Sequence, residues 1–77
     1  MTPGQLAPAD LARCGRALTG SDRWRRPLAD MLGCDDRLVR RWASGEAPVQ
    51  SWAEKRLREL VAARQRDLAA LAEALDA

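Results

Sequence analysis

The stretch from Ser51 to Ala77 contains neither glycine nor proline. Because these two residues most often end a helix, the stretch predicts a single helix that continues to the last residue of the sequence. At 1.5 Å per residue this helix is about 39 Å long, whereas a compact domain of this size is about 30 Å across. We therefore expect the helix to project beyond the globule that the preceding residues form.

The long helix carries a repeating pattern with alternating steps of four and three residues, which is typical of a coiled-coil seam. The seam positions are Leu57, Val61, Arg64, Leu68, Leu71 and Leu75. We expect Leu57 and Val61 to pack on the globule. The positions from Val61 onward are expected to form a homodimer, in which Arg64 pairs with an acid of the partner. A helix that bends back or frays after Leu68 is the alternative.

The start of the long helix is predicted from the sequence SWAE at residues 51–54. This spacing is typical of a capping box, in which the Ser51 and Glu54 side chains satisfy each other's backbone N–H groups. The preceding loop contains Pro48, which suits a break between helices.

Three shorter helices are predicted before it. The first covers about residues 8–19, with Pro8 in its first turn and Gly20 as its stop, and residues 1–6 form a loose arm. Its inward stripe contains Leu11, Cys14 and either Ala17 or Leu18.

The second helix ends at Leu32, and its start lies between Ser21 and Pro27. If Asp22 caps it, the proline costs a hydrogen bond, so the start is distorted or the regular helix begins near Arg26. Gly33 then allows a tight turn, and Asp35 caps a third helix that ends at Ser44.

Together these patterns predict an all-α fold, with residues 1–77 as one domain. Residues 8–50 form a helix-turn-helix globule, and residues 51–77 form the long C-terminal helix. The absence of Phe and Tyr and the scarcity of β-branched stretches agree with an all-helical chain. The apolar residues around the turn, with Trp24, form the predicted core: Leu28, Leu32, Cys34, Val39 and Trp42.

If Val39 and Trp42 point inward, helical spacing directs Arg37, Arg40, Arg41 and Ser44 outward on one face. Arginine bidentate to guanine is the commonest specific base contact in DNA recognition. A simply solvated face is the alternative for the arginines. Asp36 either contacts a base or pairs with Arg40 one turn later.

Residues 25–44, with Ala29, Gly33, Val39 and Trp42, resemble the helix-turn-helix of phage-repressor-like regulators of the Cro and XRE type, and the sequence WASGE at residues 42–46 is also similar to them. The size resembles that of anti-CRISPR-associated autorepressors of phages and mobile elements. The resemblance implies that the helix 35–44 enters the major groove. The base-facing positions that it implies are Asp36, Arg37, Arg40 and Arg41.

The resemblance also places Arg25 and Arg26 at phosphate-contacting positions. We add Arg23 and Ser44 to this set, with solvation as the alternative for the three arginines. The sequence departs from the family pattern at Asp35 and Asp36, where serine or glutamine is common. Trp24 and Trp52 are expected to pack against the protein, with base stacking as the alternative.

Other kinds of site find no support in the sequence. The chain has no histidine, its two cysteines lack the spacing of zinc ligands, and no phosphate-binding glycine loop occurs. We expect no enzyme activity, no metal, no cofactor and no small-molecule ligand. Cys14 and Cys34 are expected to be small buried residues of a cytoplasmic protein, and no apolar run is long enough for a membrane span.

The sequence therefore predicts a homodimeric, sequence-specific DNA-binding regulator, most simply a repressor that binds an inverted repeat in double-stranded DNA. A DNA-binding or protein-interaction assembly module, similar to small terminase subunits or to antitoxins, is the alternative.

Overall fold

The structure, a computed structural model, describes residues 6–77. This part of the chain contains four helices and no strand: α1 (Pro8–Thr19), α2 (Arg25–Leu32), α3 (Asp36–Ser44) and α4 (Ser51–Asp76). The predicted all-α fold with a long C-terminal helix is confirmed. Most of the predicted N-terminal arm lies outside the described residues, and Leu6, at its end, packs half-buried against the core.

The ends of α1 follow the predicted signals. Pro8 occupies the first turn, and Gly20 has φ 70° while its N–H donates to the Arg16 carbonyl at 2.8 Å. Leu11 and Leu18 are buried on the inner face, whereas Ala17 is exposed. Leu18 is therefore the member of the predicted pair that completes the inward stripe.

Helix α2 begins at Arg25, and Trp24 rather than Asp22 precedes it as the capping residue. Pro27 is then the third helical residue, and backbone N–H groups in the first turn have no partner within the helix. The proline therefore removes no intrahelical hydrogen bond, and Leu28 N–H donates normally to the Trp24 carbonyl at 2.8 Å. Of the two predicted starts, the Asp22-capped helix distorted by Pro27 is wrong, and the regular helix that begins near Arg26 is confirmed to within one residue.

The turn between α2 and α3 has the geometry of a Schellman motif. Gly33 has φ 76°, its N–H donates to the Asp30 carbonyl at 3.3 Å, and Cys34 N–H donates to the Ala29 carbonyl at 3.0 Å. The Asp35 carboxylate then accepts the Arg37 N–H at 2.9 Å and caps α3 as predicted. These bonds fix α2 and α3 as one rigid pair over the buried Ala29.

All three globule helices and the start of α4 contribute to one core. Its members are Leu11, Leu18, Trp24, Leu28, Ala29, Leu32, Val39, Trp42, Val49, Ala53 and Leu57. Trp24 and Trp42 are its largest fully buried side chains. The Trp24 ring lies directly on Gly15, where an added Cβ would overlap the ring. This glycine was not among the predicted core positions. Cys14 and Cys34, which were expected to be buried, are only half-buried.

Helix α4 begins without the predicted capping box. Gln50 is the capping residue and makes no side-chain cap, so Ser51 is already the first helical residue. Glu54 N–H donates to the Gln50 carbonyl at 3.0 Å, and the buried Glu54 carboxylate accepts Arg58 Nη2 at 2.5 Å. The prediction failed because the helix starts one residue earlier than the box requires, which shifts Ser51 out of the capping position.

The two halves of α4 differ in their surroundings. Ala53 and Leu57 are buried against the globule, and Leu60 and Val61 pack half-buried beside them. From Arg64 onward every residue is exposed, and α4 continues unbroken to Asp76. The projecting helix is therefore confirmed, and the alternative of a helix that bends back or frays after Leu68 is wrong. Among residues 6–77, no helix combines the length and the apolar character that crossing a membrane requires.

Candidate nucleic-acid interface

Helix α3 divides sharply into a buried and an exposed face. Val39 and Trp42 have exposed fractions of 0% and 1%, and together they anchor the helix on the core. The predicted outward residues, Arg37, Arg40, Arg41 and Ser44, are all exposed. Because α4 packs on α1 and α2, the arginine face of α3 stays open to solvent along its length.

The three arginines of this face have different neighbours. Arg40 Nη2 lies 3.3 Å from the carboxylate of half-buried Asp36, one turn earlier in α3. Of the two predicted roles for Asp36, the structure shows the local ion pair. Because the Arg40 side chain is 65% exposed, water screens the pair, and Arg40 can exchange Asp36 for another anion at small cost.

Arg41 is held at the other end of the helix. Its Nε donates to the Glu46 carboxylate at 2.9 Å, and Ser44 Oγ donates to the Arg41 carbonyl at 3.1 Å. The Glu46 N–H in turn donates to Ser44 Oγ at 3.3 Å. Gly45, with φ 81°, turns the chain back so that Glu46 meets the helix it follows. This acid was missed among the site residues, although its position directly after the stop glycine was a usable signal.

Arg37 is the least constrained of the three. Within residues 6–77 no ion pair joins its guanidinium to an acid, and only its backbone N–H is bound, by Asp35. That backbone hydrogen bond is the main reason why the pKa of Asp35 lies below its ordinary value. The Asp35 carboxylate therefore serves as the cap of α3. The Arg37 side chain is exposed to solvent at the first turn of this helix.

A cleft of about 270 Å³ separates the start of α2 from α3. Four guanidinium groups line it, together with one acid: Asp22, Arg23, Arg25, Arg26 and Arg40. Asp22 lies 3.5 Å from Arg16, a fifth arginine beside the cleft lining. Three predicted phosphate-contacting arginines therefore gather around Arg40, which was predicted to contact bases. Ser44, the fourth predicted phosphate contact, lies apart at the C-terminal end of α3.

Tryptophans support this surface from within. The Arg25 guanidinium, which lines the cleft, lies 4.9 Å from the centroid of the Trp24 ring, within cation–π distance. Trp24 itself is fully buried, so the minor alternative in which it stacks on bases is wrong. Trp52 is half-exposed and meets the Trp42 ring edge-on, with centroids 6.0 Å apart, at the junction of the globule with α4.

The arrangement as a whole is a convex arginine-bearing helix beside an arginine-lined cleft. Comparison with protein-family models, curated proteins and solved structures found no match to this chain.

Proposed function

We propose that this chain is a sequence-specific DNA-binding protein that places α3 in the major groove of double-stranded DNA. The observation that carries the proposal is the pairing of an open arginine face on α3 with the arginine-lined cleft at the start of α2. The major groove admits one α-helix, and arginine donors match the N7 and O6 acceptors of guanine there. Phosphate contacts on either side of the groove then set the orientation of the helix.

The residues divide between these two tasks by position. Arg37 and Arg41 reach from the first and last turns of α3 toward base edges, with Asp36 as a further base-facing group when Arg40 leaves it. Arg23, Arg25 and Arg26 bind the DNA backbone, and Arg40 joins them from the far side of the cleft. Ser44 contacts a phosphate at the opposite end of α3.

One α3 helix reads only a few base pairs, so specific recognition calls for two copies. Dimeric helix-turn-helix proteins read two half-sites about one helical turn apart, and the operator then has the symmetry of the dimer. The exposed leucines of α4 supply the surface for such a pairing. The chain acts as a homodimeric repressor that occludes a promoter, and this role needs neither a cofactor nor a catalytic group.

The test is selection from a random duplex DNA library at near-physiological salt, with Arg37→Ala as the variant and Arg13→Ala as the matched control. Arg13 is an exposed arginine of α1 whose nearest acid is Asp10, at 3.9 Å. We expect an enriched inverted repeat for the unchanged and Arg13→Ala proteins, and loss of preference at one position of each half-site for Arg37→Ala. No enrichment by a folded protein would overturn the proposal.

The exposed α4 also favours a second candidate, an assembly module that joins a DNA-binding globule to an oligomerising helix. Leu68, Leu71 and Leu75 would serve a ring of subunits or a protein partner as well as a dimer. Sedimentation distinguishes the two. A dimer fits the regulator, whereas a ring of more than four subunits fits the assembly module.

A further inference from the structure

A groove of about 380 Å³ lies between α1 and the first half of α4. Its lining is mainly apolar, with Leu6 and Cys14 on one side and Leu57, Val61 and Ala62 on the other. Three polar residues of α4 complete the lining: Glu54, Arg58, which binds the Glu54 carboxylate, and Gln65. Leu57 and Val61 also belong to the heptad seam, so the groove continues directly into the exposed leucine stripe of the projecting helix. Groove and stripe thus form one apolar surface along α4.

The charge on α4 is divided along its length. Residues 51–66 contain five basic and two acidic residues, for a net charge of +3, whereas residues 67–77 contain three acids and no basic residue, for a net charge of −3. Within residues 6–77, no ion pair engages Asp67, Glu73 or Asp76. Side-by-side α4 helices that point the same way would bring like charges together, whereas opposed helices would bring the acidic end of each beside the basic half of the other.

Arg64 adds an independent argument at the centre of the seam. In a parallel, in-register pair each seam residue faces its own copy, and the two Arg64 guanidinium groups would meet in one layer. In an antiparallel pair that aligns Val61 with the partner's Leu71, Arg64 faces the partner's Leu68 and lies next to the partner's Asp67. The antiparallel arrangement thus gives the arginine an acid instead of a second arginine.

We propose that two copies of this chain pair through antiparallel α4 helices, and that the acidic end of each α4 covers the α1–α4 groove of the other. In this register the partner's Leu71 and the partner's Leu75 lie beside Val61 and Leu57. The proposal rests on the dimer of the proposed function and gives it a direction and a docking site. The leucines that the globule leaves exposed, 54% at Leu68, 59% at Leu71 and 86% at Leu75, are then buried reciprocally.

The direction is tested by measuring distances between two spin labels, one on each copy, without DNA. The labels are placed at Ala77→Cys or Arg66→Cys in a Cys14→Ala, Cys34→Ala background. In the antiparallel pair the Ala77 positions lie about 33 Å apart along the helix axis, from 1.5 Å per residue on each side of the centre. In a parallel pair they lie within about 20 Å, because packed helices are 8–10 Å apart. Position 66 lies near the centre and gives a short distance in both arrangements.

A long distance at position 77 together with a short one at position 66 is the expected result. Short distances at both positions would show a parallel pair and overturn the proposal. The absence of dipolar coupling at both positions would show that the helices do not pair, and would overturn it as well. Because no DNA is present, none of these outcomes bears on the placement of α3 in the major groove, which the library selection tests separately.

Discussion

The Arg41 guanidinium is bound by an acid from just beyond its own helix, because Arg41 Nε lies 2.9 Å from the Glu46 carboxylate. Both side chains are more than half exposed, so water screens the pair and it adds little to stability. The pair instead affects the arginine that is proposed to contact DNA. Glu46 sets the position of Arg41 in the free protein and places a negative charge on the edge of the surface proposed to meet DNA.

Glu46→Gln is therefore expected to strengthen DNA binding several-fold, because it releases Arg41 and removes an acid that opposes phosphate. Fluorescence anisotropy with the selected operator, at one fixed salt concentration, measures the change. Glu59→Gln is the matched control, since Glu59 lies 3.9 Å from Arg56 on α4, away from α3. Weaker binding by Glu46→Gln alone would mean that Glu46 positions Arg41 for contact rather than withholding it.

The arginine cleft predicts a second, separable effect on binding. Arg26→Ala should weaken binding to all sequences alike and lower the salt slope of the binding constant by about one, as expected for one lost phosphate contact. Arg37→Ala should instead cost about 1–3 kcal/mol on the operator and relax the preference at one base pair. Titrations at several salt concentrations, on operator and scrambled duplexes, separate the two effects. If Arg26→Ala also changed the preferred base, the assignment of the cleft to phosphate would be wrong.

The contact between Gly15 and Trp24 predicts an unusual stability effect. Glycine-to-alanine substitution inside a helix usually stabilises a protein by up to about 1 kcal/mol. At Gly15 the added Cβ overlaps the buried Trp24 ring, so Gly15→Ala should lower the free energy of unfolding by about 1–3 kcal/mol, as in other overpacked cores.

Urea denaturation followed by circular dichroism measures the effect, with Ala17→Gly as the control. Ala17 lies in the same helix but is exposed, so this reverse substitution should cost only about 1 kcal/mol through helix propensity. A stabilised Gly15→Ala protein would contradict the close packing of the ring on α1.

The same contact shows where sequence reasoning reached its limit. The four helices were predictable because their boundary signals are local: Pro8 and Gly20 bound α1, and Gly33 with Asp35 fixes the turn between α2 and α3. The need for glycine at position 15 was not predictable, because it arises from a ring nine residues later in the chain that packs across the helix.

The candidate site also has one part that was predictable from the sequence and one part that was not. The outward face of α3 followed from helical period once Val39 and Trp42 were assigned to the core. The gathering of Arg23, Arg25 and Arg26 around Arg40 did not, since it depends on how α2 and α3 cross. The predicted start of α4 was wrong because two neighbouring polar residues, Gln50 and Ser51, can each occupy the capping position. The local sequence does not show which of them does so.

Cys14 provides a chemical probe of the proposed groove. Burial, and then the nearby Asp10 carboxylate, raise the pKa of its thiol, and burial followed by Asp35 does the same for Cys34. Because the thiolate is the reactive form, both cysteines should react slowly with iodoacetamide near neutral pH and faster as the pH rises. In the antiparallel dimer Cys14 is also covered by the partner's α4, whereas Cys34 lies at the α2–α3 turn.

Leu71→Asp should therefore accelerate alkylation of Cys14 several-fold at fixed pH and leave the rate at Cys34 unchanged, because an acid on the seam separates the two copies. Ala70→Asp adds the same charge at an exposed position outside the seam and should change neither rate. Mass spectrometry of each cysteine peptide gives both rates in one sample, and circular dichroism checks that the variants keep their helices. Equal acceleration at Cys14 and Cys34 would point to general loosening of the globule, whereas acceleration confined to Cys14 locates the covering helix at the α1–α4 groove.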